Sequence, residues 1–206
     1  MQKITEMTED EMTEFAESFA WYEYGEGERG MVPFYPKFPD RTPLVNYLKA
    51  IIRPALAAGC VWATSEKHEG IIIITDTTNA PKARHIIRML SGMVKALSLR
   101  GFLSVMKKFQ AGGESLEKKF RREKRDFIQI ELLCVKKSEQ GKGFMRPLVE
   151  KAFALADEKG LPVIITTDAT LKKDKYAHFG LNLVNTRKIA EGSLLYDLVR
   201  EGIKQP

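Results

Sequence analysis

The chain has 206 residues, of which 44% are hydrophobic and 29% charged; this is globular composition and excludes a disordered, collagen-like or disulfide-built chain. The formal charge of +6 is unevenly placed, with nine acids and two bases in residues 1–30 and thirteen bases and three acids in residues 82–125. The basic block suits the wet face of helices, a steering field for an anionic ligand, or nucleic acid; no nucleic-acid-binding motif accompanies it, so nucleic acid is not an expected partner.

Cys60 and Cys134 both lie in apolar surroundings at a spacing that suits no metal site. They read as buried free thiols in a reducing compartment, and no metal is expected. No run approaches the ~20 apolar residues of a membrane span, and the start lacks an apolar leader. The expectation is one soluble, cytoplasmic domain over residues 1–206, with no membrane partner and compatible with a homodimer.

Along the chain, Met12, Phe15, Ala16 and Phe19 recur at helical spacing, and Thr8 with Glu11 forms a capping box ahead of them. Residues 21–40 then mix aromatics with Gly and Pro and read as a loop. Thr42-Pro43 opens a second helix, which Pro54 should kink or end and Gly59 should stop. Residues 60–64 and 70–75 read as a β-hairpin. A helical block follows over 81–120, with expected breaks near Gly101 and at Gly112-Gly113. The remainder reads strand 127–135, helix 144–159, strand 161–167, short helix 172–179, and two strands, 183–189 and 193–199, around Glu191-Gly192.

The most informative stretch joins an apolar strand to a helix through Gln140-Gly141-Lys142-Gly143-Phe144-Met145-Arg146. Glycines at a helix entrance let a ligand approach the backbone, and the helix's unpaired first N–H groups and dipole favour an anion there. Lys142 and Arg146 add positive charge, so the segment suits a pyrophosphate. It is not a Walker loop, since Phe144 follows Gly143, nor a dinucleotide fingerprint, since Arg146 stands where the third small residue is needed.

In this stretch the sequence resembles the GNAT superfamily of N-acetyltransferases, which carries Gln/Arg-x-x-Gly-x-Gly/Ala between its fourth strand and the next helix. Gln140 and Gly143 match, and Met145 takes the last small place. Lys175-Tyr176-Ala177-His178-Phe179-Gly180-Leu181 looks like the family's tyrosine element, with Leu181 in the aromatic place and without the asparagines often found upstream. The resemblance is specific over residues 126–185 and extends by strand order over 42–200. It implies an α/β fold with a mixed central sheet flanked by helices, here with a helical insertion before the fourth strand. It also implies acetyl-coenzyme A as cosubstrate, held by Gln140, Gly141, Lys142, Gly143, Phe144, Met145 and Arg146. The backbone of Leu133, Cys134 and Val135 would pair with the pantetheine arm and stabilise the oxyanion.

Direct transfer to an amine needs a general acid for the leaving thiolate and a base for the amine. By the resemblance Tyr176 is the acid; otherwise it reads as a core tyrosine. Glu131 interrupts an apolar strand, where a carboxylate is costly unless paired or functional, and is the candidate base; the alternative is a carboxylate at a wet strand end. Alternation puts it on one face with Gln129 and Leu133. His68, His85 and His178 read as poor bases, and Asp168 as a helix cap. The acceptor is a small-molecule or peptide amine. Glu23, Glu26, Glu28 and the aromatics of 21–40, together with Glu131, point to a cationic amine such as a polyamine or an amino sugar. A catalytically silent acyl-coenzyme-A-binding module is the competing reading.

Overall fold

The computed structural model describes residues 1–23, 41–190 and 193–203. In chain order the elements are β1 (Gln2–Ile4), α1 (Glu9–Glu23), α2 (Arg41–Ala57), β2 (Val61–Ala63), β3 (Gly70–Asp76), α3 (Ala83–Ala111), α4 (Leu116–Arg122), β4 (Ile128–Val135), α5 (Met145–Lys159), β5 (Val163–Thr167), α6 (Thr170–His178), β6 (Asn182–Ala190) and β7 (Ser193–Arg200). The strands form one sheet in the order β1-β2-β3-β4-β5-β7-β6. The β4–β5 pair is parallel and the others are antiparallel. This is the mixed α/β architecture the sequence implies, with one three-residue edge strand, β1, that it does not signal.

The capping box forms: Glu11 N–H donates to Thr8 Oγ1 at 3.1 Å, and Thr8 N–H donates to the Glu11 carboxylate at 2.9 Å. The helix behind it buries Met12, Phe15, Ala16 and Ala20. In α2 the chain stays helical through Pro54 to Ala57. One turn before Pro54 α3 crosses closely, because a side chain on Gly92 would come within 2.7 Å of Ala50 Cβ.

The break in α3 falls at Ser98, not near Gly101 as the sequence suggests. Ser98 has φ 60 and ψ 163, and its hydroxyl accepts from Gly101 N–H at 3.3 Å. The serine thus acts as an N-cap for the second arm of the helix. The first arm buries His85, Met93 and Leu97 and packs against α2. The second arm reaches β6, and Val105 packs on Ile189 of β6 and Leu195 of β7. The expected break at Gly112-Gly113 is present, and Ser115 caps α4 by accepting from Lys118 N–H at 3.2 Å.

Two apolar layers cover the sheet. Phe15, Leu44, Ile52, Ile71, Ile73 and Leu132 pack on the α1–α2–α3 side. Ile72, Ile130, Leu148, Val149, Leu181 and Leu198 pack on the α5–α6 side. β4 contributes to both through one extra residue. Ile73 pairs with Leu132 and Ile74 with Ile130, so Glu131 is left without a partner in β3. Such a bulge advances the side-chain alternation by one. Ile128 and Ile130 face α5, whereas the next even-numbered residues, Leu132 and Cys134, face α1 and α2. Glu131 therefore shares its face with Gln129 but not with Leu133, which packs on the α5 side; this corrects the simple alternation.

At the other end of the sheet, Arg187 and Asp197 form a buried ion pair with side-chain exposures of 5% and 0%. Two guanidinium bonds of 2.9 and 3.0 Å reach the carboxylate, which also accepts from Thr166 Oγ1 at 2.7 Å and Asn185 Nδ2 at 3.2 Å. The cluster ties β5, β6 and β7 together. Removing one partner leaves an uncompensated buried charge, which costs ~3–5 kcal/mol. Arg187→Met should therefore lose about that much stability in urea denaturation, and Arg187→Met/Asp197→Leu should recover part of it.

Candidate active site

β4 and β5 pair only at Ile128–Val163 and Gln129–Ile164. β5 continues to Thr167 alongside β7, so the two central strands part beyond Gln129. At the far end of β4, Lys136 N–H donates to Glu69 O, on the β3 side. Counting back by alternation, the amides of Leu133 and Val135 point into the gap and that of Cys134 points to β3. The Cys134 thiol, moreover, donates to Phe15 O at 3.3 Å on the opposite side of the core. Of the three backbone groups the resemblance assigns, Leu133 and Val135 thus face the gap, and Cys134 anchors α1. Cys60 and Cys134 form no disulfide.

The glycine loop closes the wide end of the gap. Gln140 folds back so that its Nε2 donates to Val135 O at 3.1 Å. Gly141 and Gly143 have φ of 80 and 88, the left-handed region that disfavours any side chain. Among the described residues, no atom outside each glycine and its chain neighbours lies within 4 Å of where a Cβ on it would sit, so the loop backbone is open to an incoming group. α5 starts after Phe144 with no side-chain cap and no acid in its first turn. Within that turn Arg146 N–H donates to Gly143 O at 3.3 Å and Pro147 has no N–H, so the start of the helix favours an anion through its dipole and the Met145 amide. Lys142 pairs with Glu139 at 3.0 Å. Arg146 lies 3.7 Å from Glu150 and stacks over the Phe179 ring. Both cations stay at the loop, and these residues fit a pyrophosphate.

A cavity of about 650 Å³ lies between the sheet and the α2–α3 pair. Residues from both faces of the sheet line it, including Glu131 from one side and Leu133 and Tyr176 from the other. It therefore reaches through the β4–β5 gap. The Glu131 carboxylate accepts from Thr75 Oγ1 at 2.8 Å and Gln129 Nε2 at 3.2 Å. Glu131 is an exposed residue whose accessible area opens into the cavity, where protein crowds the carboxylate and reduces its hydration. Loss of hydration, reinforced by the nearby Glu117 carboxylate and opposed by Thr75, Arg121 and Gln129, raises its pKa from 4.5 to about 7. On α6 the buried Tyr176 hydroxyl is also pushed up, chiefly by burial, and stays protonated at neutral pH. Asp168 does not cap α6, whose first turn has no side-chain cap; it pairs with Lys172 at 3.0 Å.

Two histidines stand where sequence reasoning leaves them. His68 Nδ1 lies 3.1 Å from Glu11, and His178 is exposed beside Phe179. His85 differs, because it is buried on the cavity wall. Arg84 Nε donates to His85 Nε2 at 3.2 Å, which places the imidazole proton on Nδ1. Burial first, then Arg84, Arg88 and Lys82, disfavours the charged form. Its Nδ1 is buried and has no hydrogen-bond partner among the described residues. The signal was present in the sequence: His85, Met89 and Met93 recur every four residues along one helix face, and all three line the cavity. The side chains of Tyr22 and Glu23, and all of Glu26 and Glu28, lie outside the described residues.

The raised pKa of Glu131 sets a pH dependence of stability. Between about pH 4.5 and 7 the folded carboxyl keeps a proton that the unfolded chain has released. Stability contributed by this group is therefore present at low pH and is lost as pH rises through that window. Glu131→Gln should remove this decline. Urea midpoints across the window should show the variant gaining on the parent as pH rises from 4.5 to 7.

No family model matches the chain. An uncharacterised N-acetyltransferase of Schizosaccharomyces pombe is 39% identical over 46 residues, which is 22% of this chain and 19% of that protein's length. Among solved structures, the chain is similar to the polyamine N-acetyltransferase of Drosophila melanogaster (TM-score 0.56, 12% identity, 92% of this chain and 96% of that one). It is also similar to arylalkylamine N-acetyltransferase 2 of Aedes aegypti (TM-score 0.54, 14% identity, 96% and 97%). An agmatine N-acetyltransferase matches with a TM-score of 0.53 at 12% identity, over 81% of this chain and 83% of that one. With its seven-stranded mixed sheet opened between β4 and β5, the chain has the fold of the GNAT N-acetyltransferases.

Proposed function

We propose that the protein is an N-acetyltransferase that moves the acetyl group of acetyl-coenzyme A to a primary amine by direct attack. The observation that carries this reading is the opening of the sheet: Glu131, the gap-facing amides of β4 and Tyr176 all meet one cavity at the point where β4 leaves β5. Acetyl-coenzyme A, when bound, supplies a thioester whose acyl carbon can accept an amine while the carbon–sulfur bond breaks. The open, uncapped loop 140–146 holds its pyrophosphate.

Each remaining task falls to a residue of this chain. Glu131, with a pKa near neutral, takes the proton the ammonium group must lose. The amides of Leu133 and Val135 face the place where negative charge develops on the carbonyl oxygen. Tyr176 keeps its proton until the sulfur departs and delivers it there. The acceptor cavity carries Glu117, Glu131 and Asp168 against Arg121 and Lys172, so it favours a cationic amine. Phe19, Tyr47, Leu48, Ile51, Met89 and Met93 provide an apolar body for the site.

Binding and chemistry are tested separately. Gly143→Asp places a side chain in a left-handed backbone position and a negative charge in the cradle. Calorimetric titration with coenzyme A should show a large loss of affinity in a variant whose far-ultraviolet circular dichroism is unchanged; unchanged affinity in the folded variant removes the loop assignment.

For chemistry, kcat/KM of the parent should rise with pH and level off above about 7, as the Glu131 carboxylate ionises. Glu131→Gln should lose that limb, and Tyr176→Phe should lower kcat at unchanged coenzyme A affinity, each by ~10²–10⁴-fold. An amine panel of hydroxylated arylalkylamines, amino sugars and polyamines identifies the acceptor. Full activity in both variants would place the chemistry elsewhere.

A further inference from the structure

The first arm of α3 divides its circumference in three. His85, Met89, Met93 and Leu97 face the protein. Ile86, Ile87 and Leu90 form an exposed apolar strip, and Arg84, Arg88 and Lys95 an exposed basic strip beside it. After the Ser98 kink the second arm repeats the arrangement, with Leu99 and Leu103 exposed beside Arg100 and Lys107. Exposure reaches 65% at Ile87, 59% at Leu99 and 56% at Leu103, well beyond what a helix folded against a core leaves uncovered. Residues 77–113 contain no Asp or Glu and seven Lys or Arg. Among the described residues, Arg84, Arg88, Lys95, Arg100 and Lys107 form no ion pair with a carboxylate.

We propose that α3 docks the protein on an anionic lipid bilayer, lying in the interface with its apolar strip in the acyl boundary and its cations among the headgroups. The chemistry of the face selects this occupant. A second copy of the chain would set cation rows against cation rows with no acid between them. Nucleic acid would neutralise the cations but leave Ile87, Leu99 and Leu103 in water. An anionic bilayer satisfies both strips, as for interfacial amphipathic helices generally. The helix does not span. Ala83–Lys107 is long and apolar enough to cross a membrane by length and composition, which corrects the expectation drawn from consecutive apolar residues, since its cations are spread among the apolar positions. Yet its buried face is committed to α2 and to β6, and Ser98 breaks it midway.

The test is flotation of the full chain with vesicles of phosphatidylcholine alone and of equal parts phosphatidylcholine and phosphatidylglycerol. The protein should float with the anionic vesicles, not with the neutral ones, and added salt should release it. Ile87→Asp/Leu103→Asp alters only exposed positions and should weaken partitioning more than about tenfold, since burying one such side chain contributes ~1.5–3 kcal/mol. Arg88→Ala and Lys95→Ala should each cost about fivefold, corresponding to ~1 kcal/mol per surface cation. Circular dichroism of each variant should match the parent, and flotation needs no acetyl transfer, so this outcome is independent of the proposed enzyme activity.

Failure to float with anionic vesicles, equal flotation with both kinds, or an unaffected Ile87→Asp/Leu103→Asp variant overturns the proposal. So does a solution dimer that this variant dissociates, which would give the face to a second copy. Tight binding to duplex DNA at physiological salt would likewise give it to nucleic acid.

Discussion

A β-strand alternates its side chains with a period of two, and β4 must serve two different apolar layers while also opening the sheet. One added residue meets that constraint. Before Glu131 the inward positions face α5; after it they face α1 and α2. The residue that makes the shift has no partner in β3, so its side chain is free of the ladder's packing and can carry a carboxylate into the cavity. The same region of β4 is released from β5, which exposes amides where the cavity passes through the sheet. The proposed base, the gap-facing amides and the opening of the cavity thus lie together at one irregularity in one strand.

The loop and α5 complete the site from the opposite direction. Gln140 ties the loop to the last residue of β4, so the proposed anion-binding loop and Glu131 are separated by the strand residues Leu132 to Val135 and one side-chain bond. The cost of leaving helix N–H groups uncapped is acceptable only if a ligand or water takes them. Two other helix starts show the contrast, since Thr8 and Ser115 cap theirs with hydroxyls, whereas α3 and α6, like α5, begin without a side-chain cap.

Much of this was legible in the sequence where the signal is local. The Thr8–Glu11 box, the glycines at 141 and 143, the helix stop at Gly112-Gly113 and the isolated Glu131 each depend on a few neighbouring residues. What was not legible depends on partners far along the chain. The bulge exists only relative to β3, so counting along β4 alone misplaced Leu133. β1 has three residues, too few for a period to register. Ser98 looked like an ordinary polar residue on a helix face, and the neighbouring glycine drew the break three positions too far. His85 was hidden by the cations around it, although its spacing with Met89 and Met93 placed it inward.

The kinked path of α3 has a mechanical consequence. The sheet is two half-sheets joined along β4 and β5 by only two residue pairs. α3 fastens to α2 on one half and to β6 on the other, so it works as a tie across the seam with a joint at Ser98. A load applied to this helix from outside is transmitted to the width of the seam, and anything that wedges the seam open pulls on the helix. Stiffening the joint and occupying the cleft are, in this architecture, two ways of acting on one coordinate.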